Sequence, residues 1–419
     1  MPISFDPQTG FVKPRYDGGC FSDIPGFIRS VLIGDASGAL KPDGFQRLPE
    51  RYQNVILLFI DAFGWRFFEQ TADRYPFLQR FIHQGSVTKL TSQFPSTTAA
   101  HVTALYTGRP VGQHGIFEWQ YYEPLVDAII QPLPFSFAGT KQPETLRETG
   151  VPGNVLLPRN DFVQGLQAAG ITCYVSQPGA LSGSTYSTMI SEGATLLPYK
   201  TQPEMLVNLG LAMDEASGPA LFSIYLPQID SICHDYGPGS LHLEAEMEAC
   251  FAGLESWFQR EQLRGRPDTL LLVTADHGQV AVDPDTVIYL NLLPEYTTLK
   301  PLLRTNRQGQ VLAPAGSPRD MFLYVREGEI EAARSLLSSL LTDRAVVART
   351  SELMDAGYFG PPPFAPQFLA RMAELVILPF EGESVWWFEQ DRYDMHFRGH
   401  HGGLTAGEME IPLLLYAFD

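Results

Sequence analysis

The sequence predicts an α/β protein, a mostly parallel central sheet sandwiched by helices, with a smaller α+β unit inserted late in the chain. Three observations predict it. Short, nearly continuous apolar runs recur, as expected of strands buried in a parallel sheet; they are NVILLFI (54–60), ITCYVSQ (171–177), ALFSIYL (220–226), TLLLVTA (269–275) and IPLLLYA (411–417). Helical patterns lie between them, and strands alternating with helices build parallel sheets. The character of the chain then changes from about Asp285 to Phe397, where a separate small set of elements is punctuated by proline-rich joins.

Each element has a local reason. The stretch to about Arg51 is rich in Gly, Pro and Asp and reads as an irregular arm. SVTKLTS (86–92) reads as a strand, and FPSTTAAHVTALYTG (94–108) as the start of a helix, since proline followed by Ser or Thr is how helices begin. NDFVQGLQAAG (160–170) is a helix ending on a glycine suited to a C-cap, and EAEMEACFAGLESWFQR (244–260) is a longer one. The late segment supplies MFLYV (321–325), the helix EIEAARSLLSSLL (329–341), AVVART (345–350) and ELVILPF (374–380), with PPPFAP (361–366) as one join. The expected layout is a core with an N-terminal arm at 1–284, an inserted cap at 285–397, and a return to the core at 398–419.

At 419 residues the chain is long enough for a large core. Its 29 Lys and Arg against 47 Asp and Glu leave a formal charge of −18, with no basic run. That excludes a grip on nucleic acid polymers by phosphate neutralisation, and docking on an anionic membrane. An acidic chain that handles an acidic substrate needs local positive charge, and metal ions are one source. The cysteines, Cys20, Cys173, Cys233 and Cys250, are scattered without a CxxC pair, as in a reduced cytoplasmic chain. MPISFDPQTG has neither a basic nor an apolar leader region, and the apolar runs are too short to span a bilayer.

The chemistry gathers where the apolar runs stop. NVILLFI runs into Asp61, ALFSIYL into PQIDSICHDYGP with Asp230 and His234, and TLLLVTA into Asp276 and His277. In open α/β sheets ligands collect beyond the carboxyl ends of the strands, so these groups are placed to share one crevice. Asp230 and His234 are four apart, which on a helical turn puts both on one face. Asp276 and His277 are adjacent, and a turn at the strand end lets both reach one ion. HHGGL (400–404) adds a histidine on a glycine-flanked loop before the last core strand. Taken singly, a strand-end Asp is a cap and a lone His a hydrogen-bonded structural residue. Taken together, they supply hard and borderline ligands for two divalent ions.

The run Ser96-Thr97-Thr98 has the same two readings. A hydroxyl at a helix N-terminus is a cap, and it also feels the positive end of the dipole and unpaired N–H groups, which favour alkoxide and phosphate oxygens. Metal coordination lowers its pKa further. These arguments do not rank the three hydroxyls.

The ordered set FIDAFG (59–64), FPSTTAAHVTALYTG (94–108) with HGIFEW (114–119), DSICHDYGP (230–238), TADHG (274–278) and HHGGL (400–404) resembles the alkaline phosphatase superfamily, in its type I phosphodiesterase/nucleotide pyrophosphatase-like branch. The likeness spans about 54–284 and 398–419 and leaves out the cap. It implies a two-metal site, most often zinc with manganese as the alternative, and a covalent phosphothreonine intermediate. One ion would be held by Asp61, Asp276, His277 and the nucleophile, the other by Asp230, His234 and His401. His401 is taken over His400 because relatives place the ligand directly before Gly-Gly. Counting from Thr107 and from Pro95, as relatives space their nucleophile, lands on Thr98; counting back from His101 lands on Thr97. Two rulers against one select Thr98. Two departures stand out. Relatives that cleave nucleotide pyrophosphates carry an Asn where Trp119 stands here, beside Glu118. The C/S-x-P-x-R pattern of sulfatases and the DNSE-like sequence of cofactor-independent phosphoglycerate mutases are both absent.

The resemblance implies hydrolysis of a small phosphoester, with nucleotides among the candidates. Only Lys89 and Arg109 flank the nucleophile segment, and that scarcity of positive charge favours diesters over dianionic monoesters. Phe117, Trp119, Tyr121, Tyr122 and Trp386-Trp387 have core packing as their default role and base stacking as the alternative. The rival readings are a phosphonate hydrolase or phosphomonoesterase on the same metals, and a catalytically dead metal-stabilised scaffold.

Overall fold

A computed structural model describes residues 9–35 and 40–418; residues 1–8 and 36–39 of the expected arm lie outside the described residues. The described part of that arm is more ordered than its composition suggests. Ile24–Ile33 forms a ten-residue helix, α1, with Pro25 in its first turn and Gly34 closing it at φ 74°. Ile24, Phe27, Ile28, Val31 and Leu32 are buried along one stripe at helical spacing, and this stripe outweighs the flanking glycines and prolines.

The central sheet is built from β1 (Asn54–Ile60), β2 (Ser86–Thr91), β3 (Thr172–Ser176), β4 (Thr195–Leu196), β5 (Ala220–Leu226), β6 (Thr269–Thr274) and, after the insertion, the last strand Glu410–Phe418. Spatial order is β2, the last strand, β6, β1, β5, β3, β4. The pairs β1/β5, β1/β6, β3/β5 and β3/β4 are parallel, and the last strand runs antiparallel to both β2 and β6. Strands β1 and β6 are buried over almost their whole length. That is why their sequences show no polar alternation.

Two helices position functional groups. Thr98–Thr107, α2, starts after β2 with Thr97 as its extended N-cap and ends at Gly108, φ 67°. Nearly every side chain on it is buried, and its small residues Ala99, Ala100 and Ala104 let it sit deep in the molecule. Gln228–Tyr236, α3, follows β5 directly and carries Asp230 and His234 one turn apart. Leu241–Arg264, α4, then runs along the outer face.

A second sheet forms from β7 (Met321–Leu323), β8 (Ala345–Arg349) and β9 (Leu375–Pro379), all antiparallel with β9 central; the helix Ile330–Leu340 is α5. Its two faces have different fates. Met321, Leu323, Leu375 and Ile377 pack with Ala333 and Leu337 of α5, whereas Phe322, Ala348, Val376 and Leu378 join the main core. Successive side chains point to opposite faces, so continuous apolar runs are what a doubly covered sheet demands. Two buried arginines fasten the same region. Arg319 donates to both carboxylate oxygens of Glu408 at 3.0 Å, and Arg371 donates to Glu123 at 2.8 Å and to two main-chain oxygens. A short antiparallel pair, Val280–Ala281 against Gly399–His400, closes the long excursion at its base.

Candidate active site

Strands β5, β1 and β6 are parallel neighbours, so their carboxyl ends open on one side, with Phe59 level with both Tyr225 and Thr274. Asp61 follows β1, and Asp276 and His277 follow β6. Both turns are tight: Ala62 takes φ 60°, and a Cβ on Gly64 would lie 2.5 Å from Cα of Gly278. Only glycine allows the two turns to touch. The main-chain N–H groups of Ala62 and His277 donate to Asp276 Oδ1 at 3.2 and 3.0 Å.

Six of the seven expected ligands fall into two groups of three. Asp61, Asp276 and His277 form one, and Asp230, His234 and His401 the other, each bringing atoms within 4.8 Å of one another. His277 Nε2 is 3.5 Å from Asp61 Oδ1 and 3.2 Å from Asp276 Oδ2. His234 and His401 present Nε2 to Asp230 Oδ1 at 3.4 and 3.8 Å. The groups abut, with the His277 and His401 rings stacked at 3.6 Å. His400 also lines the cavity beside these groups but belongs to neither, its Nδ1 accepting from the His401 main-chain N–H at 2.9 Å.

Thr98, the seventh, is the first residue of α2. Its Oγ1 is 3.1 Å from His277 Nε2 and 3.5 Å from Asp61 Oδ1. Thr97 is the buried cap. Ser96 hydrogen-bonds the main-chain oxygen of Gly403 at 2.8 Å, away from both groups. His101 is fully buried and structural: Nε2 accepts from Gln93 N–H at 2.9 Å, and Nδ1 donates to the Thr97 carbonyl at 2.7 Å. Burial lowers its pKa to about 4, so it is neutral.

The donor set suits divalent cations. Each histidine has Nδ1 on a main-chain carbonyl: His277 on Gly278 at 3.1 Å, His234 on Gly399 at 2.8 Å and His401 on Ser96 at 2.8 Å. A carbonyl only accepts, so the proton resides on Nδ1 and the Nε2 lone pair is left for a ligand bond. Asp276 Oδ2 is buried without a hydrogen-bond partner. Burial, then the charges of Asp276 and Asp230, push the Asp61 acid well up. Carboxylates brought together out of water need a cation beside them. Carboxylate oxygens and imidazole nitrogens are ligands for zinc and manganese alike.

A cavity of about 440 Å³ opens onto Asp230, His234 and His401 of the second group and onto Thr98, which touches the first; Thr97, Glu118, Trp119, Trp386, Tyr393 and Phe397 also line it. Trp119 and Phe397 are 42% and 41% exposed, so they edge the mouth. Phe117, Tyr121 and Tyr122 are buried core residues, and Trp387 packs in the second sheet's own cluster. Three contributors had no local signal in the sequence. Tyr225 donates its hydroxyl to Asp61 Oδ2, Gln279 donates to Asp230 Oδ1 at 2.5 Å, and Ser317 Oγ, which donates to Asp320 Oδ1 at 2.5 Å, lies 3.2 Å from the His401 carbonyl. Each acts across strands or loops far apart in the chain, and only the register of the folded sheet reveals them.

Glu118 is 1% exposed, and burial pushes its acid up to about 8. The folded chain therefore holds a proton there that the unfolded chain releases near 4.5. Stability from that proton is full below the unfolded value and is lost as pH rises through the folded one. Glu118→Gln, which cannot ionise, is expected to reduce the loss of melting temperature between pH 6 and 9 by on the order of 3 °C, read from thermal melts.

Comparison with known proteins places the chain in a family. A model of the type I phosphodiesterase / nucleotide pyrophosphatase family matches residues 55–404. The chain belongs to that family. Among curated relatives it is 24% identical over 256 residues to ectonucleotide pyrophosphatase/phosphodiesterase family member 3 of Mus musculus, covering 59% of this chain and 27% of that protein. Venom phosphodiesterase CdcPDE of Crotalus durissus collilineatus is 22% identical over 258 residues, covering 61% of this chain and 29% of the relative. The chain thus spans under a third of the length of these relatives. Among solved structures, murine ectonucleotide pyrophosphatase / phosphodiesterase 5 superposes with a TM-score of 0.62 at 17% identity, over 86% of this chain and 87% of the other. Phosphonoacetate hydrolase from Sinorhizobium meliloti, solved with phosphonoacetate, gives 0.60 at 17% identity, over 86% and 89%. At such identities the structural likeness establishes the fold. Among the described residues no helix is long and apolar enough to cross a membrane.

Proposed function

We propose that the chain is a two-metal phosphoester hydrolase of phosphodiesterase/nucleotide pyrophosphatase type, acting through a phosphothreonine on Thr98. The observation that carries this reading is the Thr98 hydroxyl, at the N-terminus of α2 and 3.1 Å from His277 Nε2 and 3.5 Å from Asp61 Oδ1. Asp61, Asp276, His277 and Thr98 would hold one divalent ion, and Asp230, His234 and His401 the other, with zinc foremost and manganese next. Bound there, the ions would supply Lewis-acid charge stabilisation to the attacking and leaving oxygens.

The chain's own groups do the rest. Thr98 Oγ loses its proton and bonds to phosphorus as the bond to the leaving oxygen breaks, and the departing alcohol or nucleotide takes up a proton. The first-turn N–H groups of α2 favour negative charge at that oxygen. Water then attacks phosphorus from the vacated side, and the P–Oγ bond breaks to regenerate Thr98. Loose phosphoryl transfer depends on positioning and charge, which rigid strand ends provide.

The cavity favours a singly charged diester. Arg392 is the arginine on its lining, and it is engaged with Glu389 at 2.5 Å. Lys89 and Arg109, the cations nearest the nucleophile in sequence, are paired with Glu410 and Asp161. The AMP complex of murine ectonucleotide pyrophosphatase / phosphodiesterase 5 makes a nucleotide the first substrate to try. Residues 285–397 form the cap in this reading, with 1–284 and 398–419 as the catalytic core. Four unpaired, buried cysteines favour the cytoplasm.

Purified protein loaded with zinc or manganese is expected to cleave bis-p-nitrophenyl phosphate and a nucleotide p-nitrophenyl ester at least about tenfold faster than p-nitrophenyl phosphate. Chelation abolishes turnover and added metal restores it. Preference for p-nitrophenyl phosphate or phosphonoacetate would transfer the assignment to a monoesterase or phosphonate hydrolase. Absence of turnover with both ions bound would leave a binding scaffold.

A further inference from the structure

Two hydrogen bonds cross between the ligand groups. Tyr225 lies on β5, the strand leading into Asp230 and His234, yet its hydroxyl donates to Asp61 of the opposite group. Gln279 lies two residues past His277, yet its Nε2 donates to Asp230, at 2.5 Å to Oδ1 and 3.1 Å to the main-chain oxygen. Both partners only accept, so the amide must present its NH₂ end. The side chain has little freedom. Gln279 is 1% exposed, its backbone is held by Arg66, which donates to the main-chain oxygen at 2.7 Å, and a Cβ on Gly399 would lie 2.5 Å from its Oε1.

We propose that Tyr225 and Gln279 are positioning residues that cross-brace the two ion sites, each fixing the aspartate of the site to which its own segment contributes no other group. The proposal rests on the two-ion reading above. A carboxylate with one oxygen tied to a rigid donor has fewer orientations to lose when it binds an ion. Such contacts behind a ligand shift metal affinity by about 10–100-fold. The crossing predicts an effect that a local packing role does not: altering the turn after His277 weakens the ion on α3, and altering β5 weakens the ion at Asp61.

Zinc titration of the metal-free protein against a chromophoric chelator tests this, with bound zinc counted by elemental analysis. The parent is expected to take up two ions. Gln279→Met should keep one and bind the other about 10–100-fold more weakly. In a His234→Ala background, which removes the α3 site, Gln279→Met should leave the remaining ion's affinity unchanged while Tyr225→Phe weakens it. Unchanged zinc affinities in both single variants overturn the proposal, as does a Gln279→Met effect that persists in the His234→Ala background. If Gln279→Met does not fold, Tyr225→Phe decides alone, by weakening one ion or neither. A parent that binds fewer than two ions overturns the bracing together with the two-ion reading. A parent that binds two in this pattern but cleaves no phosphoester supports the bracing and removes only the hydrolase.

Discussion

Thr98→Ala is expected to lower kcat/KM by about a thousandfold or more while both ions remain bound, because it removes the attacking oxygen and leaves six ligands in place. Thr97→Ala is expected to cost less than about tenfold, the scale of a lost hydrogen bond, since its side chain makes no capping bond to α2. Thr98→Ser keeps the oxygen and should retain turnover within about tenfold of the parent. Steady-state kinetics with metal analysis of the same samples checks all three. Equal losses from Thr97→Ala and Thr98→Ala would move the nucleophile or dissolve the covalent step. An unaltered Thr98→Ala would favour direct attack by water, or the scaffold reading if the parent is also inert.

The second large effect is on stability. Arg319 and Glu408 are both fully buried and paired through two hydrogen bonds of 3.0 Å. Glu408 also accepts from Gly403 N–H at 3.0 Å and from the Thr405 hydroxyl at 2.6 Å, so it organises the loop that carries His401. Arg319→Met leaves a carboxylate in the interior without its cation and is expected to cost about 3–5 kcal/mol. Adding Glu408→Gln should recover part of that, since the orphaned charge is then gone. Denaturant midpoints of the parent, both single variants and the double variant give the coupling directly. A simple additive cycle would mean that the pair does not act as a unit.

Several of these residues could be found by reading along the chain. Asp61 and Asp276 stand where uninterrupted apolar runs end, and parallel strands put such ends on one side. Asp230 and His234 carry their own helical spacing. MFLYV and ELVILPF were legible as elements of the late segment, whereas the burial of their sheet on both faces was not, because the partner of its inner face is the main core. Helix α1 was not, because its stripe of Ile24, Phe27, Ile28, Val31 and Leu32 sits among glycines, prolines and aspartates that dominate composition. Thr97 and Thr98 have the same chemistry and adjacent positions. What separates them is that the chain is still extended at Thr97 and turns helical at Thr98, a difference of backbone rather than composition. Tyr225 and Gln279 depend on cross-strand register, which no window of sequence contains.

The two-rung pairing of Val280–Ala281 with Gly399–His400 has a consequence for protein engineering. The excursion departs directly after one ligand turn and rejoins at the other, so its length is invisible to the strands that bear the aspartates. A chimaera that exchanges everything beyond this stem would keep the register of the reactive groups while acquiring a new wall for the cavity. The graft has two entry requirements, a cation to replace Arg319 beside the buried Glu408 and a fitting inner face. It must bring a sheet whose inner face matches the apolar surface now covered by Phe322, Val376 and Leu378, because that face belongs to the common core.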